Sequence, residues 1–331
     1  MAMNTRFPDA GTIRTVLALT SRAPSVHNTQ PWRWVVGEQS VHLYSDADRQ
    51  LPMTDPDGRD LMLSCGAALN HCVIAFAAVG WHAKVSRLPN SADPNHLAAI
   101  ELSQHKADAA DIALAAAIPR RRTDRRHYSS WPVPVSDIAL MAARAARHGV
   151  TLCEVEDTEK LHKIVVQSVW DHMNRDYLLE LTAWSGRYAS TAGVPARNTP
   201  KSDRHAKIPG RFFAGPVLAE PPGSSATEDN AVVLAFGTRT DDPLARLCAG
   251  EATSAVLLTA TSMGLASCPV TEPLEIAETS AAVRSEIFGD TSYPQMLLRV
   301  GWAPINADPL PSTPRRELGE FVEWMADRDV V

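Results

Sequence analysis

Residues 61–83 run for 23 positions without one Asp, Glu, Lys or Arg. A run of that length has to be buried, either in a protein interior or in a bilayer that it is long enough to cross. Ser64, Asn70, His71, His82 and two glycines interrupt it. No aromatic belt marks both ends, and no basic cluster marks one flank. The reading is a buried helix of a soluble protein from about Arg59 to Val79, with Asp57 as N-cap and Gly80 as its stop. Leu244 to Met263 reads as a second long helix of small and apolar residues, stopped by Gly264.

The two helices look related. A shift of 184 residues places Thr54 on Thr238, Asp57 on Asp241, Gly66 on Gly250, Ala68 on Ala252 and Gly80 on Gly264. Each copy reads as strand, acidic turn, long helix, glycine, strand. Either the chain is an internal duplication or two buried helices share composition by necessity. A length of 331 residues suits two domains or two lobes around one core. The halves are set at 1–118 and 119–331.

Around these helices, shorter segments alternate. Helices are expected at 12–22, 108–118, 136–147 (capped by Ser136) and, in one long piece, 158–184. Strands are expected at 32–36, 41–44, 84–88, 98–102, 152–155, 232–236 and 295–300. The mixture is α+β. With 45% hydrophobic and 21% charged residues, the chain is not disordered. A net charge of −6 excludes a general nucleic-acid or anionic-membrane binder. Five cysteines without a CxxC pair exclude a disulfide framework and a zinc site, and suit a reducing cytoplasm. Met1 to Gly11 lacks a signal-peptide pattern.

The familiar nucleotide, metal and hydrolase signatures are missing: there is no GxGxxG, Walker loop, HExxH or GxSxG. Four other segments carry chemistry. Pro24-Ser25-Val26-His27-Asn28-Thr29-Gln30-Pro31-Trp32 sets two amide side chains between prolines. Asn and Gln both donate and accept, which suits a flat heterocycle; an ordinary Asx-rich turn is the alternative. Arg121-Arg122-Thr123-Asp124-Arg125 would, if extended, aim Arg121, Thr123 and Arg125 the same way, as a phosphate or ribityl site or as a solvated basic patch. Gly264 to Glu272 offers backbone donors in a proline-shaped turn, including Pro269, Val270 and Thr271. Its Cys268 reads as a buried structural thiol. Arg315 and Arg316, in Pro314-Arg315-Arg316-Glu317-Leu318, are a second cation pair suited to a phosphate, or merely a polar tail.

In this order the segments resemble the FMN-dependent nitroreductase superfamily, and most closely its Acg-type branch of NAD(P)H nitroreductases. The Pro-Ser-x-x-Asn-x-Gln-Pro-Trp string is the most specific match. The resemblance implies a nitroreductase-like fold and FMN as cofactor, with NAD(P)H as electron donor and a nitro compound or quinone as acceptor. It places Arg121, Arg122, Thr123, Arg125, Arg315 and Arg316 at the phosphate and ribityl oxygens. Pro24, Ser25, Val26, Asn28 and Gln30 approach the ring, as do Pro269, Val270 and Thr271, with the Thr271 N–H toward the flavin N5. No side chain is assigned as a general acid.

Ordinary members of the superfamily are homodimers of shorter subunits, in which one subunit brings the arginine motif and the other the Pro-Ser-x-x-Asn motif. Here each half carries only one of the two. That implies two fused lobes forming an internal pseudo-dimer, a monomer with one FMN per chain. Residues 185–213 form a long segment of about +5 charge, from Arg187, Arg197, Lys201, Arg204, Lys207 and Arg211 against Asp203. As a lid, it would either admit an anionic nicotinamide cofactor or shut substrates out; a plain disordered insertion is the alternative. The rival functions are therefore an FMN store without catalysis and a basic-patch interaction protein without cofactor.

Overall fold

The computed structural model describes residues 7–186, 190–203 and 205–325. Arg187 and Arg204 of the basic segment lie outside the described residues. In chain order the helices are α1 (Ala10–Thr20), α2 (Arg59–Ala78), α3 (Ala109–Ala117), α4 (Val135–Ala146), α5 (Thr158–Asp171), α6 (Arg175–Ala183), α7 (Pro243–Ser262) and α8 (Ala277–Phe288). The strands are β1 (Trp32–Val36), β2 (Ser40–Ser45), β3 (Trp81–Arg87), β4 (His96–Gln104), β5 (Thr151–Glu154), β6 (Val232–Thr238), β7 (Ala266–Val270), β8 (Tyr293–Gly301) and β9 (Val322–Trp324).

The strands form two sheets, in the orders β3-β4-β2-β1-β9 and β7-β8-β6-β5. Pairing within β3-β4-β2-β1 is antiparallel throughout, as it is within β7-β8-β6-β5. Each sheet has a long helix between its second and third strands in sequence, α2 in one and α7 in the other. The two sheets thus repeat one topology. The exception is β9, which comes from the C-terminal end and joins β1 in parallel.

The charge-free helix is a core helix: its most apolar 18-residue window is 72% buried inside the protein. What buries it is chiefly α7. A Cβ built on Gly66 would lie 2.1 Å from the Leu247 carbonyl oxygen, and one on Gly250 would lie 2.1 Å from the Leu63 carbonyl oxygen. Backbones this close exclude any side chain at the crossing. The 184-residue offset that pairs Gly66 with Gly250 also pairs Leu63 with Leu247. Each leucine packs into the other half's core, Leu247 among Trp32, Trp34 and Leu43, and Leu63 among Leu234, Phe236 and Leu298.

Several local expectations change. α2 is not capped by Asp57: Gly58 is the N-cap, and the Asp55 carboxylate takes the N–H groups of Asp60 and Leu61 at 2.9 and 2.7 Å. Ser136 lies inside α4, which starts after Pro134 without a side-chain cap. The single helix expected at 158–184 is broken at 172–174, where the Asn174 side chain accepts from Tyr177 N and starts α6. Residues 266–270 are strand β7 rather than a turn, so much of their backbone hydrogen bonding is spent on β8. Helix α8 was not foreseen: only Thr279, Val283 and Phe288 of it are buried, too sparse for a visible period.

Gly66→Ala is expected to force α2 and α7 apart, because the clash is with backbone that cannot rotate away. Overpacking of this kind costs about 3 kcal/mol. Chemical denaturation should read that loss, and a change under about 1 kcal/mol would show that the crossing is not tight.

Candidate active site

A cleft of about 1030 Å³, counted with the solvent-open space at its mouth, lies where the two halves meet. The first half contributes Pro24, Ser25, Val26 and His27, and α2 adds Asp60, Ser64 and Ala67. The second half contributes Thr123, Arg125 and residues 268–272. The loop at 24–31 is unusually bent. His27, Asn28 and Gln30 all have positive φ, at 43°, 56° and 54°. Non-glycine residues in that region cost about 1 kcal/mol or more each, and persist where their surroundings over-determine them. Here the Gln30 N–H donates to Ser25 Oγ at 2.9 Å, and the Val26 N–H donates to Ser64 Oγ of α2 at 3.0 Å.

The amides of Asn28 and Gln30 do not face the cleft. Asn28 Nδ2 donates to the Gly193 and Pro314 carbonyls at 3.0 and 3.1 Å. Gln30 Nε2 donates to the Asn28 and Thr191 carbonyls, and its Oε1 accepts from Arg316 N at 2.9 Å. Both side chains tie the 185–213 segment and the C-terminal tail to the bent loop. Trp32 and Trp34 anchor it from below, both fully buried.

On the other wall, Thr123 bridges Ser267 of β7 and Asp124 N donates to the Ser267 carbonyl at 2.9 Å. The backbone is extended, so Thr123 and Arg125 share the cleft face. Arg122 points away and donates to the Leu310 and Pro119 carbonyls. Asp124 also points away, into a buried pair with Arg126 at 2.9 Å. Arg121 is buried among cations: its Nη2 reaches the Arg22 carbonyl at 3.4 Å, while its Nε and Nη1 have no partner. Burial pushes its pKa down to about 10, with Arg122 and Arg22 adding to the effect.

Arg315 is placed beside it. Its guanidinium donates to the Ser21 and Arg22 carbonyls and to Asn28 Oδ1 at 3.0 Å. Burial pushes it down to about 9, and every charged group acting on it is another arginine: Arg121, Arg22 and Arg122. His71 of α2 is pushed down to about 3, by burial and then by Arg121 and Arg315; its Nε2 is also unpartnered. A buried cluster of cations with orphaned donors and no carboxylate has the chemistry that an anion would satisfy. Arg316 is not part of that cluster: it donates to the Gln30 and Glu320 carbonyls and lies 3.4 Å from Asp46.

Of the 185–213 segment, the described residues 208–213 form a strap against the cleft. Ile208, Pro209, Gly210, Arg211 and Phe213 line the cleft, and the Arg125 guanidinium lies 4.8 Å from the Phe213 ring centroid. Arg211 fixes the strap. It ion-pairs with Glu275 and donates to His27 Nε2 at 3.0 Å, Tyr177 Oη at 3.1 Å and Thr271 Oγ1 at 3.3 Å. Burial works against its charge, but Glu275 and Glu272 more than offset that, and its pKa is raised. Arg211 therefore adds no free charge for an anionic visitor. Among the described residues no His, Cys, Asp and Glu cluster could hold a metal. Cys268 is buried and its thiol pKa is raised by that burial, as a structural cysteine requires.

His27, Asp60, His71, Arg211 and Glu275 were not foreseen as site residues. His27 lay inside the Pro24–Trp32 string, His71 inside the charge-free run and Arg211 among the charges of the 185–213 segment, while Asp60 was the last charge before the charge-free helix.

This arrangement is an α+β protein with two sheets of one topology and a cleft between them. The comparisons give the family. Two Mycobacterium tuberculosis proteins, both named as putative NAD(P)H nitroreductases, are similar to the chain. One is 65% identical over 324 residues, covering 98% of this chain and 94% of the relative. The other, Acg, is 35% identical over 315 residues, covering 93% and 94%. The chain belongs to this NAD(P)H nitroreductase family, in its Acg-type branch. No family model matches it. A Bacteroides fragilis nitroreductase with bound FMN shares 16% identity at a TM-score of 0.38, over 59% of this chain and 90% of that one.

Glu275→Ala is expected to release the strap, since it leaves Arg211 buried without its carboxylate. Breaking such a pair costs about 3–5 kcal/mol, and the segment relieves that cost by swinging Arg211 into water. Trypsin cleavage after Lys207 and Arg211 should then speed by about tenfold or more. An unchanged cleavage rate would show that Arg211 does not hold the strap.

Proposed function

We propose that the chain binds one FMN between its halves and acts as an NAD(P)H-dependent FMN oxidoreductase on nitro compounds or quinones. The observation that carries this reading is the orphaned pair of Arg121 donors, Nε and Nη1, in a carboxylate-free cation pocket next to the cleft. A phosphate ester supplies what that pocket lacks. Arg121 and Arg315 would hold the phosphate, and Thr123 and Arg125 the ribityl chain. Pro24, Ser25, Val26, Pro269, Val270 and Thr271 would flank the ring. Arg122, Asn28, Gln30 and Arg316 act through others, fixing the walls that carry these residues. When bound, the flavin supplies the hydride chemistry. The protein orients it, excludes water with the strap and compensates the phosphate charge.

The one-to-one stoichiometry has support of its own. Ala67 lines the cleft. Its counterpart at the 184-residue offset is Glu251, 1% exposed and bound by Arg87 through Nε at 2.6 Å and Nη2 at 2.9 Å. On our reading, this ion pair fills the place of a second flavin. The repeated topology supports an internal duplication with halves near 1–118 and 119–331, a monomeric pseudo-dimer. Five free cysteines are in keeping with a cytoplasmic protein.

The clamped strap favours a second reading, an FMN store that admits no substrate. Stopped-flow mixing of the FMN-loaded protein with NADPH separates the two. Bleaching of the flavin absorbance supports the oxidoreductase; an unchanged spectrum supports the store.

Arg121→Met tests the phosphate pocket. Losing two charge-assisted hydrogen bonds, worth about 3 kcal/mol together, should weaken FMN binding by roughly a hundredfold. The ligand-free variant should be no less stable than the parent, because the cation removed was unpaired. Unchanged FMN affinity would place the phosphate elsewhere.

A further inference from the structure

Beyond the residues assigned to the cofactor, one acid faces the cleft without a task. Asp60 is 2% exposed, and neither of its carboxyl oxygens receives a hydrogen bond. Arg59 Nη2 lies 2.5 Å from Oδ1, while Arg59 Nη1 is committed to the Gln295 carbonyl at 2.7 Å. The charged groups facing Asp60 are Arg59 on its own helix, Asp55 from the preceding turn, Glu275 from the turn before α8 and Arg211 from the strap. Glu272 lines the same end of the cleft.

Four carboxyls therefore share two guanidinium groups in a buried space, with the His172 imidazole 3.6 Å from Glu272 and 3.8 Å from Glu275, and neighbouring carboxylates disfavour one another's ionised forms. Arg211 is taken by Glu275, and it also lowers the pKa of the buried Glu272. Asp55 accepts two backbone N–H groups, which favours its ionised form, although burial still lifts its pKa to about 6. Asp60 accepts no backbone N–H and has only the Arg59 guanidinium against it. Burial holds it well above the usual carboxylate range against the opposing pull of Arg59, and Asp55 and Glu275 add to the rise. Of the two acids that line the cleft, Arg211 and His172 favour the ionised form of Glu272, whereas burial favours the protonated form of Asp60.

We propose that Asp60 is the proton donor of this cleft, protonating the acceptor as it is reduced. The inference rests on the oxidoreductase reading above. For a quinone, uptake of a hydride derived from the reduced nicotinamide gives the hydroquinone anion. The Asp60 O–H bond then breaks, its proton forms the new hydroquinone O–H, and the electron pair stays on the Asp60 carboxylate. A solvent proton restores the acid. Asp60 is then a catalytic residue in contact with the acceptor.

The test uses the full-length FMN-loaded protein with NADPH and 1,4-benzoquinone, as wild type, Asp60→Asn and Asp60→Glu. General acid catalysis contributes about a hundredfold, so Asp60→Asn should lower kcat for benzoquinone by that factor and leave flavin reduction by NADPH unchanged. Asp60→Glu should recover part of the loss. The second readout is infrared. At neutral pH the wild type should show the carbonyl band of a protonated carboxyl, absent from Asp60→Asn and shifted in Asp60→Glu. Should the Asn variant fail to fold, an unshifted band in Asp60→Glu overturns the proposal. So does benzoquinone turnover in Asp60→Asn within about twofold of wild type, or a carboxyl band that survives the substitution. A wild type that binds FMN but reduces nothing overturns the oxidoreductase reading, and this step with it.

Discussion

Everything in this molecule is arranged about the crossing of α2 and α7. Gly66 and Gly250 let two backbones meet where no Cβ fits. The approach sends Leu63 and Leu247 into each other's cores, so that neither half closes its interior alone. It also sets the spacing between the bent 24–31 loop, seated on α2 through Ser64, and the extended 121–125 segment, seated on β7. The cleft is the gap left between them. A side chain at either glycine would change the width of that gap as well as the stability of the core.

The second organising fact is electrostatic asymmetry along the cleft. Behind the Thr123 wall, Arg121 and Arg315 are buried with other arginines, and no acid is among the groups that act on those two. The other end gathers Asp55, Asp60, Glu272 and Glu275 around Arg59 and Arg211. Each end is costly by itself. On the proposed function an anion would offset the first, and a retained proton the second. A ligand with a phosphate at one end and redox chemistry at the other fits both. That is why the same geometry supports an oxidoreductase and, with the strap held down, a closed store.

Much of this was legible in the residues. The charge-free run, its terminal Gly80 and the offset of 184 residues found the two central helices and the equivalence of the sheets, because burial and positive φ are written directly in composition. The Pro-Ser-x-x-Asn and arginine strings located both walls of the cleft. The finer assignments were less visible. Asn28 and Gln30 read as ring contacts because their amides suit a heterocycle, but those amides bind Gly193, Thr191 and the 314–316 backbone, partners more than 150 residues away. Arg316 read like Arg315, yet it folds back on the loop. The strap read as free positive charge, whereas Arg211 is neutralised by Glu275. In each case a long-range partner, absent from local sequence, decided where a polar group went.

The account stands on a single flavin held between complementary halves. Titrating the cofactor-free protein with FMN and following the quenching of flavin fluorescence measures this directly. The curve should break at one FMN per chain, in the wild type and equally after Glu251→Ala, which removes the plug without supplying the missing motifs. A break at two in the wild type, or no break at all, would contradict the account.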